Sequence, residues 1–371
     1  MTSLAILVDQ VLSSVPGGSG AYVRHLVPAL ATADPAMDVA LFHTRFPEAQ
    51  PQSWMRRHWV EELPSGMRSL YPQWALRRGP ALPLGLSQRD LLHAPTALAV
   101  PPAGDGQRLV VTVHDLAFLV HPEAFPRRWA LVYRAGLARA VRSADALIAV
   151  SRHTAEDLMR RTRVRPAKVY VTPLAPTLPH GDADVEKVLA RHRVHAPYIL
   201  SVGTLEPRKN LVRLVRAYRR LAARGAPHTL VLAGPVGWRP AELLAETTKE
   251  GPGSVVLTGY VSEDDLDAFY RGADVFVYPS VYEGFGLPVL DAMARGVPTI
   301  VSTSSSLPEV AGEAAVPVDP RSIAGIVEAL ERVTTDVALT ARLRDAGRAR
   351  AGRFTWEDTA RRTLDIYKTI L

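Results

Sequence analysis

Short β-branched runs alternate with longer helical patterns along almost the whole chain. A first series of these runs lies at residues 4–8, 39–43, 109–113, 146–150 and 168–172. A second series lies at residues 198–202, 229–233, 254–258, 274–278, 298–302 and 314–318. Because a repeated order of strand, helix and strand places successive strands in parallel, the pattern predicts an α/β fold with two doubly wound parallel sheets.

A proline-rich stretch separates the two series. Residues 173–197 contain four prolines, an acidic patch and a short helical pattern that ends near Val194. Such a stretch is typical of a connection between domains. We therefore predict a first domain over residues 1–175 and a second over residues 176–355. The chain has 371 residues, of which 47% are hydrophobic, and this is enough apolar material for two cores.

Composition excludes several classes of protein and site. The chain has no cysteine, so disulfides, thiolate metal sites and a cysteine nucleophile are excluded. The formal charge of +7 suits anionic ligands, but no combined aromatic and basic motif predicts a nucleic-acid partner. Neither a long apolar run nor a secretory signal is apparent at the start, so we expect a cytoplasmic protein.

A glycine loop in the second series carries two carboxylates eight residues apart. Glu283 precedes the pair Gly284 and Gly286, and Asp291 lies in the apolar helical run that follows. Glycines allow the backbone to approach a ligand closely, and the first amides of the helix face an anion. The order of strand, glycine loop and helix predicts a phosphate site, as for a phosphorylated sugar.

A basic turn follows the first strand of the second series. Residues 203–210 read Gly-Thr-Leu-Glu-Pro-Arg-Lys-Asn and place Arg208 and Lys209 just before a helix. Cations are unfavourable at that end of a helix dipole, so an anionic ligand explains them better than helix stability does. A solvated basic turn is the alternative.

Two motifs of the first series lie after predicted strands. The run from Gly17 and Gly18 to Gly20 precedes a predicted helix over residues 21–31, where its amides can receive a diphosphate, or it is an ordinary glycine turn. His114 and Asp115 end another strand, so a neutral imidazole there can bind a sugar hydroxyl. A turn-stabilising pair is the alternative for these two residues.

Further loops of the second series end at the same predicted sheet edge. Gly234 and Gly259 follow two strands, and backbone groups near Gly259, Tyr260 and Val261 can contact a nucleobase, although plain loops fit equally well. The acids at residues 263–265 follow Ser262 and favour a helix cap over a metal site. We therefore predict neither a metal nor another cofactor.

One predicted helix is strongly basic. Residues 127–142 have an apolar face and a basic face, and the basic face is predicted to contain Arg127, Arg128, Arg134, Arg139 and Arg142. This face can contact anionic lipid at the inner side of the cell membrane, or it is the solvated face of a core helix.

Taken together, the Glu-Gly-Phe-Gly loop, the Gly-Thr-Leu-Glu-Pro-Arg-Lys-Asn segment, the early Gly-Gly-Ser-Gly and the His-Asp pair resemble glycosyltransferase family 4. These are retaining enzymes of the GT-B fold, and the bacterial mannosyltransferase branch is the most similar. The resemblance implies an active site between two Rossmann-like domains and a C-terminal helix, about residues 356–371, that packs on the first domain.

The resemblance also implies roles for individual residues. Glu283 and His114 would contact the transferred sugar, and Arg208 and Lys209 would bind the pyrophosphate. The backbone amides of Phe285, Gly286 and Leu287 would also donate hydrogen bonds to the phosphate and the sugar. Gly18 would contact the diphosphate. The full set of implied donor-binding residues is Gly17, Gly18, Gly203, Thr204, Gly234, Gly259, Tyr260, Val261, Gly284, Phe285, Gly286, Leu287 and Asp291.

Two residues depart from the family pattern. Asp291 stands where a ribose-binding glutamate is usual, and a carboxylate one methylene shorter reaches about 1.3–1.5 Å less far, which is about half a hydrogen-bond length. Thr204 stands where many relatives have arginine, so phosphate neutralisation would rest on Arg208 and Lys209.

The resemblance implies a hexosyltransferase that uses a nucleotide sugar and retains the anomeric configuration. Mannose is the first expectation for the sugar, and the expected acceptor is a glycan, a lipid-linked sugar or a small metabolite. The alternatives are a nucleotide-sugar epimerase, an inverting GT-B transferase, and a non-catalytic subunit that binds nucleotide sugars.

Overall fold

The chain forms two compact units. The computed structural model describes residues 2–13, 16–46, 52–77, 79–179 and 181–371. The first unit contains Met1–Leu174 and Thr355–Leu371, and the second contains Ala175–Phe354. Both boundaries lie one residue from the predicted ones.

The first unit contains a seven-stranded sheet in which every pair of neighbouring strands is parallel. Its strands are β1 (Ser3–Leu7), β2 (Asp38–His43), β3 (Trp59–Glu62), β4 (Leu91–Ala94), β5 (Arg108–Val113), β6 (Ala146–Ala149) and β7 (Val169–Val171). They are arranged in the order β3-β2-β1-β4-β5-β6-β7. Its helices are α1 (Asp9–Leu12), α2 (Gly17–Ala33), α3 (Met67–Arg77), α4 (Leu84–Ser87), α5 (Ala117–Val120), α6 (Arg127–Ser143), α7 (Arg152–Arg161) and the C-terminal α16 (Trp356–Ile370).

The second unit contains a six-stranded parallel sheet. Its strands are β8 (Tyr198–Val202), β9 (Thr229–Ala233), β10 (Val255–Gly259), β11 (Val275–Tyr278), β12 (Thr299–Ser302) and β13 (Val316–Val318), in the order β10-β9-β8-β11-β12-β13. Its helices are α8 (Val185–Arg191), α9 (Leu211–Ala222), α10 (Ala241–Thr247), α11 (Glu263–Gly272), α12 (Leu287–Ala294), α13 (Leu307–Ala311), α14 (Ile323–Thr335) and α15 (Val337–Ala351).

The two sheets confirm the predicted α/β class with Rossmann-like domains. Each predicted strand appears within two residues of its predicted start. Two strands were not predicted. The sequence of β4, Leu-Leu-His-Ala, has no β-branched residue, and β3 is a four-residue edge strand within residues 50–89, a segment that is rich in Trp, Arg and Pro and has no clear period. Residues 50, 51 and 78 of that segment lie outside the described part of the chain.

The strand order reverses once in each sheet, and this positions the loops that carry the candidate site residues. In the first unit the reversal lies between β1 and β4, and in the second between β8 and β11. Loops at the carboxyl ends of the strands diverge at such a point and leave a crevice, where α/β proteins bind ligands. The loops after β8 and β11 are those that contain Lys209 and Glu283.

Helix boundaries confirm the cap predicted at Ser262 and correct one predicted start. Ser262 Oγ accepts a hydrogen bond from the Asp265 amide, and Thr355 Oγ1 accepts one from the Asp358 amide. The predicted helix over residues 21–31 is too short, because α2 already begins at Gly17. The early glycines therefore form the first turn of α2 and do not precede it.

The basic helix α6 forms, but one of its arginines is not on the exposed face. Arg139 is 6% exposed, and its Nε donates to the Val100 carbonyl over 2.8 Å. Arg127, Arg128, Arg134 and Arg142 are exposed. The prediction was therefore wrong for Arg139, which is buried in the first unit and binds a backbone carbonyl there. Within the described ranges, no helix combines the length and the apolar character needed to span a bilayer.

The C-terminal helix α16 is joined to the first unit by a buried polar network. His93 Nδ1 lies 2.6 Å from the Tyr367 hydroxyl, and His93 Nε2 lies 2.8 Å from Thr112 Oγ1. The Tyr22 hydroxyl of α2 lies 3.0 Å from the same Thr112 oxygen. Burial lowers the pKa of His93 to about 3, so the ring is neutral. The network therefore holds α2, α16 and two strands together without a buried charge.

Replacing the tyrosine of this network tests its contribution. Tyr367→Phe leaves a nitrogen of His93 buried without its partner, and we expect a loss of about 1–3 kcal/mol in the free energy of unfolding. Urea denaturation measures this loss. Tyr260→Phe is the control, because Tyr260 is 57% exposed. Equal stability of the two variants would contradict the assigned role of the network.

Candidate functional site

Four charged side chains meet where the loops after β8 and β11 diverge. Lys209 Nζ lies 2.6 Å from Glu283 Oε1, and Arg208 Nη1 lies 2.7 Å from Glu283 Oε2. Arg208 Nε also lies 2.6 Å from Glu206 Oε1. We call Glu206, Arg208, Lys209 and Glu283 the ion cluster. Its two cations and two carboxylates balance in formal charge.

Glu283 and Lys209 of the ion cluster are buried, and Glu206 and Arg208 are partly buried. Glu283 is 6% exposed and Lys209 is 7% exposed. Burial alone would raise the pKa of Glu283, but the charges of Arg208 and Lys209 outweigh this and lower the pKa to about 2. Burial also lowers the pKa of Lys209. The neighbouring Arg208 charge lowers this pKa further, whereas the Glu283 charge opposes the lowering. The Glu283 carboxylate is therefore ionised at neutral pH.

Lys209 of the ion cluster has one N–H donor beyond those used within the cluster. An ammonium group has three N–H donors. Two of them are accounted for by Glu283 Oε1 and by the Tyr278 hydroxyl, which lies 2.6 Å from Nζ. The third can reach an anion placed beside the cluster.

Backbone and amide contacts join the two loops. The Val281 amide donates to the Arg208 carbonyl over 2.9 Å. Asn210 adopts a left-handed conformation with φ 60°, and its Nδ2 donates to the carbonyls of Pro279 and Pro320. These contacts hold the cations of one loop against the carboxylate of the other, so the geometry does not depend on the ion pairs alone.

The glycine loop is held by serines that follow β12. The Glu283 amide donates to Ser305 Oγ over 2.8 Å, and Ser306 Oγ lies within hydrogen-bond distance of the Glu283 and Phe285 carbonyls. Gly286 has a φ of 115°, and a Cβ there would lie 2.7 Å from Leu307 Cδ2. A glycine is therefore required at 286.

The Leu287 amide opens α12 and has no acceptor within the helix, whereas Pro288 has no N–H and the Val289 amide donates to the Gly286 carbonyl over 2.9 Å. The Leu287 amide follows Gly284 and Phe285 after β11, on the same loop as Glu283. Such amides, at the positive end of a helix dipole, favour an anionic ligand.

The remaining candidates of the second unit lie at the carboxyl ends of β8, β9 and β10. Gly203 and Thr204 follow β8, and the Gly203 amide donates to the Ala233 carbonyl. Gly234 has a φ of 146°, and a Cβ there would lie 2.2 Å from the Gly203 carbonyl oxygen. Loop packing therefore requires this glycine, whether or not a ligand binds.

The end of β10 exposes one of its candidates and buries another. The Gly234 amide donates to the Gly259 carbonyl, which joins the ends of β9 and β10. Tyr260 is 57% exposed, whereas Val261 is 8% exposed. Tyr260 thus has a ring face available for a ligand, while Val261 can contribute only its backbone.

His114, Gly17 and Gly18 belong to the first unit. His114 follows β5, and its Nε2 donates to the Pro95 carbonyl over 2.8 Å. Burial lowers the pKa of His114, with the Pro95 bond and the Asp115 charge opposing. Because a carbonyl only accepts hydrogen bonds, the neutral ring has Nδ1 as an acceptor. Asp115 accepts a hydrogen bond from the Ala117 amide and so caps the next turn. This agrees with the predicted alternative of a turn-stabilising pair.

Asp291 has partners that the sequence did not predict. Its Oδ1 accepts from the Thr177 amide at 2.7 Å and from the Leu178 amide at 3.3 Å, and its Oδ2 accepts from Thr177 Oγ1 at 2.9 Å. Burial raises the pKa of Asp291, and the Thr177 bonds oppose this rise. The carboxylate is thus occupied by the segment that begins the second unit.

Sequence reasoning missed several partners of the site residues. It missed Glu206, Tyr278, Ser305 and Ser306, although the run of serines at residues 304–306 was a visible signal. It explained Arg208 and Lys209 by an anionic ligand, with a solvated basic turn as the alternative. The structure adds partners that neither explanation included, because both cations pair with Glu283, and Arg208 also pairs with Glu206. In the described part of the chain, no group of three or more His, Asp and Glu side chains has a metal-binding arrangement.

Comparison with known proteins identifies the family. A model described as Glycosyltransferase Family 4 matches residues 16–175, and one described as Glycosyl transferases group 1 matches residues 186–350. O-antigen chain mannosyltransferase B of Escherichia coli is 31% identical over 385 residues, which cover 95% of this chain and 96% of the relative. MMP alpha-(1->4)-mannosyltransferase of Mycolicibacterium hassiacum is 28% identical and covers 95% and 94% of the two chains.

Solved structures share the fold. Sucrose-phosphate synthase from Thermosynechococcus elongatus matches with a TM-score of 0.74 at 21% identity, covering 100% of this chain and 99% of that one. WaaG, a glycosyltransferase involved in lipopolysaccharide biosynthesis, matches with a TM-score of 0.73 at 16% identity, covering 98% and 99%. The family models and the full-length relative confirm the predicted family and enzyme class: the chain belongs to glycosyltransferase family 4 and is a transferase.

Proposed function

We propose that this glycosyltransferase moves a mannosyl unit from GDP-mannose to a hydroxyl group of a growing surface polysaccharide, with retention of the anomeric configuration. The observation that carries this proposal is the buried ion cluster at the strand-order reversal of the second unit, beside the glycine loop that opens α12. The choice of mannose and of a polysaccharide acceptor is supported by the relatives, which are named as mannosyltransferases and, in one case, for the O-antigen chain.

The second unit supplies the groups that a nucleotide-sugar donor needs. The remaining N–H of Lys209 and the Leu287 amide at the start of α12 would bind the diphosphate. Glu283, held ionised by its two cationic neighbours, would accept hydrogen bonds from hydroxyls of the sugar. The ring of Tyr260 would contact the base, with backbone groups near Gly259 and Val261. No metal is proposed, because these donors can neutralise the leaving diphosphate.

His114 would assist from the first unit. Its Nε2 is bound to Pro95, so the neutral ring offers Nδ1 as an acceptor to a sugar hydroxyl. The amides of Gly17 and Gly18 in the first turn of α2 would donate to the diphosphate.

The proposed transfer needs no protein nucleophile. The bond from the anomeric carbon to the phosphate oxygen breaks while the acceptor oxygen bonds to the same face of that carbon. The acceptor proton passes to a phosphate oxygen of the leaving diphosphate. Lys209 and the Leu287 amide would stabilise the negative charge that develops there. Inversion would instead need a side-chain base at the acceptor, so the anomeric configuration of the product distinguishes the two reactions.

A panel of nucleotide sugars tests the donor. We expect GDP-mannose to raise the melting temperature most, because a ligand at 100 times its Kd stabilises a protein by about 2.7 kcal/mol. UDP-glucose and dTDP-glucose are the comparison donors, and each is tested by differential scanning fluorimetry. No shift with any nucleotide sugar would contradict the proposed donor class, and a larger shift with another base would replace GDP.

Removing the lysine of the ion cluster tests its proposed role. Lys209→Met should lower the rate of GDP release from GDP-mannose about 30- to 1000-fold, since one such charged contact stabilises a transition state by about 2–4 kcal/mol. Near-normal turnover would contradict the role.

A matched double variant separates this effect from misfolding. Lys209→Met leaves Glu283 buried with one cation fewer and should also lower the melting temperature. Adding Glu283→Gln restores the charge balance, so the double variant should regain stability while transfer stays lost. Recovery of activity together with stability would indicate a purely structural pair.

We further propose that the enzyme works at the cytoplasmic side of the cell membrane and contacts it through α6. Three exposed arginines of α6, Arg127, Arg128 and Arg134, are three or four residues from Leu131, which is 61% exposed. A basic face with an exposed apolar residue fits the surface of an anionic bilayer.

Neutral substitutions on α6 test the membrane contact. Each basic residue near an anionic surface contributes about 1 kcal/mol, so Arg127→Gln with Arg128→Gln should weaken binding about 30-fold. Co-sedimentation with phosphatidylglycerol vesicles measures this binding. The control is Arg342→Gln with Arg344→Gln, a pair of equal charge that is exposed on α15. Equal effects of the two pairs, or no binding by the unaltered protein, would contradict the contact.

A further inference from the structure

A buried polar clamp fastens the start of the second unit to α12. We define the clamp as Thr177, Asp267, Asp291 and Arg295. Arg295 Nε donates to Asp267 Oδ1 over 2.6 Å, and its Nη2 donates to the carbonyls of Leu178 and Pro179. Asp291 binds Thr177 through both carboxylate oxygens. The segment at residues 177–179 is therefore held from both its amide and its carbonyl side.

Sequence spacing brings two members of the clamp one helical turn apart at the end of α12. Asp291 lies in α12, and Arg295, four residues later, is the residue that caps its C-terminal end. Arg295 Nη1 also donates to the Asp291 carbonyl over 3.2 Å. The segment at residues 177–179 therefore lies against the C-terminal half of the helix, whose N-terminal end carries the Leu287 amide proposed to bind phosphate.

The charges of the clamp are paired and out of solvent. Asp291 is 4% exposed, Asp267 is 0% exposed, and the Arg295 side chain is 1% exposed. A buried carboxylate is stable only when hydrogen bonds or ion pairs satisfy it. Asp267 obtains them from Arg295 and Arg271, and Asp291 obtains them chiefly from Thr177.

The carboxylate oxygens of Asp291 can accept few further hydrogen bonds. An ionised carboxylate has about four lone-pair sites, and three are filled by the Thr177 amide, the Leu178 amide and the Thr177 hydroxyl. The two neighbouring hydroxyls of a ribose would need two acceptors. Asp291 cannot receive both without releasing the segment that it holds.

The shorter side chain at 291 agrees with this assignment. Glutamate, the usual residue of the family here, would extend the carboxylate by about 1.3–1.5 Å, and this is too far to keep three hydrogen bonds of 2.7–3.3 Å in place.

We propose that Asp291 is a positioning residue that clamps residues 177–179 to α12, and that it does not hold the ribose of the donor. The donor site consequently does not distinguish ribose from 2′-deoxyribose through this residue. The part of this inference that concerns the ribose rests on the proposed function, because that function supplies the nucleotide ligand. The clamp itself rests only on the contacts described above.

Binding of GDP and 2′-deoxy-GDP tests the ligand half of the proposal. Isothermal titration should give a ratio of the two Kd values that is the same, within about threefold, for the unaltered protein and for Asp291→Asn. If the Asp291 carboxylate held the ribose, 2′-deoxy-GDP would bind the unaltered protein about tenfold or more weakly than GDP, and Asp291→Asn would remove that difference. That pair of results would overturn the inference. Failure of both nucleotides to bind would count against the proposed function instead.

Variants of Thr177 test the clamp without any ligand. Thr177→Val removes the hydroxyl donor to a buried carboxylate, and we expect its melting temperature to fall by about 3–8 °C. Thr177→Ser keeps the hydroxyl and should remain near the unaltered value. Hydrogen exchange at residues 177–178 should accelerate in the valine variant only. Equal melting temperatures and exchange rates for the two variants would refute the clamp even if no nucleotide binds.

Discussion

The buried ion pair between Lys209 and Glu283 is the interaction on which the rest of the site depends. It joins loops that follow neighbouring parallel strands, β8 and β11, at the point where the strand order reverses. A buried carboxylate that loses its partner destabilises a protein by about 3–5 kcal/mol, so each residue of the pair requires the other. Arg208 supplies a second cation to Glu283, which explains why this carboxylate stays ionised in a buried place.

The neighbouring residues serve this pair and the loop beside it. Asn210 and the Val281 amide hold the two loops together, while Ser305 and Ser306 fix the backbone around Glu283. The result is a preorganised group of donors that needs little rearrangement when negative charge develops. Such preorganisation is the main means by which a protein without a nucleophile accelerates group transfer.

Much of the fold was predictable because its determinants are local. Repeated short β-branched runs identified both parallel sheets, and the caps at Ser262 and Thr355 follow from three-residue spacing. Strand β4 was missed because its sequence has no β-branched residue, so only its position between β1 and β5 makes it a strand.

The site was only partly predictable because its contacts join distant parts of the chain. Glu283, Lys209 and the glycine loop were identified by motif, but the pairing of Lys209 with Glu283 spans 74 residues and that of Thr177 with Asp291 spans 114. Neither pairing has a local signal. Asp291 shows the consequence, since a residue assigned to a ribose by its position in a motif is bound by the segment that begins its own unit.

The most direct measurement of the central claim is a crystal structure of the enzyme with GDP bound. The account predicts the terminal phosphate within hydrogen-bond distance of Lys209 Nζ and of the Leu287 amide, with the ion pair between Lys209 and Glu283 intact. A diphosphate bound elsewhere, with Lys209 directed only to Glu283 and Tyr278, would contradict the claim that the ion cluster forms the donor site.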